Sequence, residues 1–127
     1  MLQLIKNLSK RNSLLLAIFT TVFIAFLSLL KLQPIPVNLS HKDKVFHCVA
    51  YFVLTFMWLL AVKISPKKIV LVTVLCILYG IIIEVLQKTV TTYRSFDYLD
   101  MIANSIGSVL ALLIFNVFVK KHNVISN

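Results

Sequence analysis

The sequence predicts an all-α membrane protein, a bundle of four transmembrane helices with both termini cytoplasmic. Three observations point there. Of 127 residues, 60% are hydrophobic and only 13% charged, whereas soluble domains carry about 25% charged residues; only a bilayer solvates this much apolar surface. Four apolar runs of 17 to 22 residues punctuate the chain, each long enough to cross a core of about 30 Å at about 1.5 Å per residue. The 13 Lys and Arg residues, which give a net charge of +9, sit between those runs. That placement reads as topology and headgroup contact rather than a nucleic-acid-binding stripe.

Residues 1–13 form a basic N-terminus with Lys6, Lys10 and Arg11 and no acid. The first span, 14–30, follows. A basic start before an apolar run is shared with signal peptides, but the run is long and Lys31-Leu32-Gln33-Pro34 lacks a small-x-small cleavage pattern, so an uncleaved anchor is expected. It offers only Thr20, Thr21 and Ser28 as polar groups, which predicts a peripheral support. Pro34 and Pro36 hold the external loop, 31–44, extended. The second span is expected at 45–62, a cytoplasmic turn at 63–68, the third span at 69–87, an external turn at 88–97, the fourth span at 98–119 and a cytoplasmic tail at 120–127. Eight of the 13 basic residues share the side of the termini and five the other, which by the positive-inside rule sets the orientation. Cys48 and Cys76 lie inside apolar runs without metal spacing and read as reduced, small hydrophobes.

This topology sends all four acids (Asp43, Glu84, Asp97, Asp100), with His47, Gln87 and Asn104, to the outer end of the bundle. Asp43 and His47 are i,i+4, and Tyr51, Thr55 and Trp58 continue their face; Glu84 and Gln87 are i,i+3 and share a face with Gly80; Asp100 and Asn104 are again i,i+4. Ala103, Gly107 and Ala111 form a small-xxx-small packing row. Ionisable groups at a membrane boundary are costly and mark functional sites. Simpler accounts stand beside this one. Asp97 fits a helix cap, Asp43 a solvated loop charge and Trp58 an aromatic filler. Arg94 fits a staple to Glu84 or Asp100. As a site, Asp43, His47, Glu84, Gln87, Arg94, Asp100 and Asn104 are candidates for binding. His47, Glu84 and Asp100 are candidates for acid–base work, and with Asp43 for a divalent metal such as Mg²⁺, Mn²⁺ or Zn²⁺. No ionisable group lies near the middle of a span, which argues against an ion path.

In order along the chain stand Asp43-Lys44-Val45-Phe46-His47-Cys48-Val49-Ala50-Tyr51, then Glu84-Val85-Leu86-Gln87, then Arg94-Ser95-Phe96-Asp97-Tyr98-Leu99-Asp100, then Asn104-Ser105-Ile106-Gly107. This series resembles the VanZ-like family of small bacterial membrane proteins over about residues 40–115, departing at Cys48, where an aromatic often follows the histidine. The resemblance implies a four-helix protein of the bacterial inner membrane. The family takes its name from a protein associated with resistance to teicoplanin-type glycopeptides, and most members carry no assigned activity. Two functions are expected. One is an envelope-associated protein that binds a lipid headgroup, cell-wall precursor or surface polymer and so modulates drug access. The other is a membrane-embedded, metal-dependent enzyme acting on a lipid-linked or phosphorylated substrate, with Arg94 as anion clamp and Gln87 and Asn104 as orienting donors.

Overall fold

The computed structural model describes residues 10–29, 40–62, 66–90 and 98–126, with the side chains at 10–11, 40–43, 66, 88, 90 and 119–126 excepted. The described residues form four helices and no strand: α1 (Lys10–Leu29), α2 (Ser40–Ala61), α3 (Pro66–Val90) and α4 (Tyr98–Ser126). Each is long and apolar enough to cross a membrane. Backbone hydrogen bonding does not end where apolarity does: α1 begins at Lys10 ahead of its apolar run, and α4 continues through Lys120 and Lys121 to Ser126. Lysine and arginine are good helix formers, so the ladder propagates through them. Pro66 opens α3, where its missing N–H would have no intrahelical partner.

Helix α2 packs against each of the other three, most extensively against α4. Lipid tails are as apolar as the side chains they would release, so helices in a bilayer associate through close packing and a few polar links. The α2–α4 seam shows both. Ala103, Gly107 and Ala111 are buried, and a Cβ at Gly107 would run into the Cys48 carbonyl oxygen, so only glycine permits this approach. One turn along, the buried Thr55 hydroxyl donates to Ser108 Oγ at 2.9 Å. Toward the α2–α3 connection the seam is apolar: Phe56, Leu59, Ile69, Ala111 and Phe115 form a core cluster, with the Phe56 and Phe115 rings edge to face at 6.0 Å.

Helix α1 is the least buried of the four spans, a peripheral support as expected, and specific polar links hold it to the bundle. Ala17, Thr21, Ile24 and Ser28 recur at helical spacing on the face it turns to α2 and α3. Thr21 is the anchor: its hydroxyl donates to the Ala17 carbonyl at 2.8 Å and accepts from the Trp58 indole N–H at 2.8 Å. The Thr21 carbonyl accepts from the Tyr79 hydroxyl at 2.6 Å. Trp58 is therefore a polar link as well as a filler. Outward faces of all four helices carry exposed apolar side chains, among them Phe19, Phe26, Phe46, Leu71, Ile82, Ile106 and Val117, as lipid contact requires. Cys48 and Cys76 are free thiols, half-buried and buried.

Candidate functional site

The first turns of α2, the last turns of α3 and the first turns of α4 meet at one end of the bundle. There Glu84, Gln87, Asp100 and Asn104 are all buried, with 2 to 6% of their surfaces exposed. Antiparallel neighbours bring them together: the i,i+3 step from Glu84 to Gln87 and the i,i+4 step from Asp100 to Asn104 each put a pair of side chains on one helix face. Because α2 starts at Ser40, positions 43 and 47 both fall inside the helix. Gly80, one turn below Glu84, is what lets the faces close. A Cβ there would sit 3.0 Å from Tyr51 Cε1 and 3.2 Å from Asn104 Cβ and Nδ2.

His47 is the hub. Its Nδ1 lies 3.0 Å from Asn104 Oδ1. An amide oxygen only accepts, so Nδ1 carries the proton and donates it. That leaves Nε2 facing Asp100 Oδ2 at 3.8 Å, beyond the roughly 3.2 Å reach of an N–H···O hydrogen bond. The other Asp100 oxygen lies 3.7 Å from Lys44 Nζ. His47, Glu84 and Asp100 each present a donor atom within 4.8 Å of the other two. Two ionised carboxylates that close would repel by about 3 kcal/mol at an effective dielectric of about 20, a repulsion that a proton on one of them, Lys44 or a bound cation relieves.

Beside this cluster lies a cavity of about 180 Å³ between α1, α2 and α3. Ile24, Leu27, Phe46 and Ala50 supply apolar wall; Ser28, His47, Tyr51 and Gln87 supply the polar part. Gln87 Nε2 donates to the Ser28 carbonyl at 2.8 Å, fixing the amide against α1. Tyr51 is 2% exposed, its ring packs 6.3 Å from that of Tyr79, and its hydroxyl has no hydrogen-bond partner among the described residues.

Of the candidates, His47, Glu84, Gln87, Asp100 and Asn104 are thus brought together. The Asp43 side chain and the whole of Arg94 and Asp97 lie outside the described residues. The site also contains three groups that sequence reasoning did not assign to it. Lys44 was legible as i,i+3 to His47, but lay hidden in a run of alternating charges. Tyr51 was legible as i,i+4 to His47. Ser28 shares a helix face with Thr21 at i,i+7, but the sequence does not show which neighbour that face meets.

No solved structure matches this chain. An uncharacterized protein of Schizosaccharomyces pombe is 33% identical over 109 residues, covering 84% of this chain. The chain spans 65% of that relative's length. The family model described as VanZ/LLP1 matches residues 3–119, beyond the 40–115 of the resemblance, so the match includes the α1 segment. Four membrane-capable helices with this match across nearly the whole chain make it a multi-pass membrane protein that belongs to the VanZ/LLP1 family.

Proposed function

We propose that this protein is an envelope-associated binding protein that takes the polar head of an amphiphile from the bilayer into the cavity between α1, α2 and α3. The single observation that carries this is the composition of that cavity: apolar wall from Ile24, Leu27, Phe46 and Ala50 continuous with Ser28, His47, Tyr51 and Gln87. Ligand sites pair mostly apolar walls with a few convergent polar groups, and an amphiphile needs both. The eight-to-five distribution of basic residues supports an outward-facing site, in the cytoplasmic membrane of a bacterial cell. Lys44, which pairs with Asp100, suits an anionic head such as a phosphate ester of a lipid or lipid-linked cell-wall precursor. Holding such a head would alter drug access to it, a route to glycopeptide resistance.

The second reading is an enzyme at the same site acting on a lipid-linked or phosphorylated substrate. The fixed His47 tautomer favours it, because a directed Nε2 is what general-base work needs.

The test is native mass spectrometry of the protein released from nanodiscs of the host's own lipids. We expect one retained anionic amphiphile on the wild type, lost from Gln87→Ala and from Ala50→Phe, which fills the cavity, and kept by Val109→Ala on the exposed face of α4. Equal retention by all four proteins would overturn the binding reading. Turnover of the retained amphiphile would move the assignment to the enzyme.

A further inference from the structure

We infer that His47, Glu84 and Asp100 form a binding site for one first-row divalent cation of the Zn²⁺ or Mn²⁺ class, deepening the binding reading and resting on it through His47, which lines the cavity. Three observations on different residues converge. The donor atoms come from three helices and lie within 4.8 Å of one another, close to the roughly 3 to 4 Å that donor atoms keep around one ion with bonds of about 2.0 to 2.2 Å. The 3.8 Å between His47 Nε2 and Asp100 Oδ2 is long for a hydrogen bond and suits two ligands of a shared ion.

Asn104 supplies the second observation. Metal-ligating histidines donate their other ring N–H to a fixed acceptor, which sets the tautomer and points the lone pair at the metal. Here Nδ1–H donates to Asn104 Oδ1 at 3.0 Å, and Asn104 is itself held against Gly80, where a Cβ would come within 3.2 Å of it. The bond leaves the Nε2 lone pair directed toward Asp100, as a metal ligand requires.

The third is Tyr51, buried and without a hydrogen-bond partner for its hydroxyl among the described residues. It lines the cavity with His47. Three protein ligands leave a tetrahedral or larger coordination sphere open. A water or an anionic oxygen in the open position, on the cavity side, would meet this hydroxyl. One nitrogen and two carboxylates select zinc or manganese over calcium or magnesium, which favour oxygen-only shells.

The experiment uses the full chain in nanodiscs of fixed zwitterionic lipid, stripped with chelator and titrated separately with Zn²⁺, Mn²⁺, Mg²⁺ and Ca²⁺. We expect one equivalent of Zn²⁺ or Mn²⁺, and at least tenfold weaker Mg²⁺ and Ca²⁺. His47→Ala and Asp100→Asn should each weaken binding at least tenfold, and Asn104→Ala by about 10- to 100-fold. Because a site variant can fail to fold, the wild type also carries its own test. Bound Mn²⁺ should show coupling to one imidazole nitrogen in pulsed electron paramagnetic resonance, lost from His47→Ala if that variant folds. No stoichiometric metal on the folded wild type, or bound Mn²⁺ without nitrogen coupling, overturns the site. Because amphiphile retention is read without added metal, either property can fail while the other stands.

Discussion

At the α2–α3 connection, Phe56, Leu59, Ile69 and Phe115 close the bundle with rings and branched chains. At the opposite end the same three helices meet through His47, Glu84, Asp100 and Asn104. The first end is satisfied by contact alone. The second gathers two carboxylates whose repulsion the first end never incurs, beside a cavity that a structural core would fill. The difference teaches where stability and function are divided: one end holds the helices, and the other uses their positions.

The glycines of the two seams give the largest test of that division. Gly107 faces backbone, the Cys48 carbonyl, whereas Gly80 faces the side chains of Tyr51 and Asn104. Backbone cannot turn aside, so Gly107→Ala must push α4 from α2. We expect a loss of about 3 kcal/mol or more, read as a collapse of the monodisperse peak in detergent and of thermal stability. Gly80→Ala asks side chains to give by a few tenths of an ångström. It should cost about 1 kcal/mol yet impair ligand retention, because the Asn104 side chain that must move also orients His47. A Gly80→Ala protein with intact retention, or a Gly107→Ala protein of wild-type stability, would break the comparison.

Next in size is an exchange of effects between the ends. Phe115→Ala removes half of the Phe56–Phe115 pair and should lower stability by about 3 kcal/mol, while leaving ligand binding unchanged in the folded fraction. Glu84→Gln should do the reverse. It removes one of two close buried carboxylates, so thermal stability is expected to hold or rise as cation binding is lost. Sites commonly trade stability for activity in this way. A Glu84→Gln protein that unfolds several degrees earlier would place the carboxylate among the structural groups.

The same division explains what could be read from the chain. Four spans and no strand were legible because apolar runs of this length have one physical outcome in lipid. The convergence of Glu84, Asp100 and His47 was legible because antiparallel connectivity fixes which end of the bundle each reaches. Gly80 was legible as a point of close approach because it shares the face of Glu84. What the chain did not disclose was lateral: that α1 supplies Ser28 to the cavity and Thr21 to both Trp58 and Tyr79. Periodicity gives the face of one helix but not the rotation of its neighbour. The partners of a lone threonine depend on that rotation, as does whether Tyr51 meets the cluster or the lipid.

The smallest expected effect lies midway between the ends, at the Thr55–Ser108 hydrogen bond. Both residues are 0% exposed, which in water-soluble proteins would make the loss of a partner expensive. In a membrane helix a threonine has a second acceptor one turn back, the route taken by Thr73 to the Ile69 carbonyl at 2.9 Å and by Thr21 to that of Ala17. Thr55 can turn likewise to the carbonyl of Tyr51. Ser108→Ala should therefore cost about 0.6 kcal/mol, typical of interhelical polar pairs in membranes, with binding unchanged. A cost above about 2 kcal/mol, read in the same thermal scans, would show that polar links hold the α2–α4 seam. Stability would then extend into the polar half, and the boundary between the holding end and the working end would move one turn toward His47.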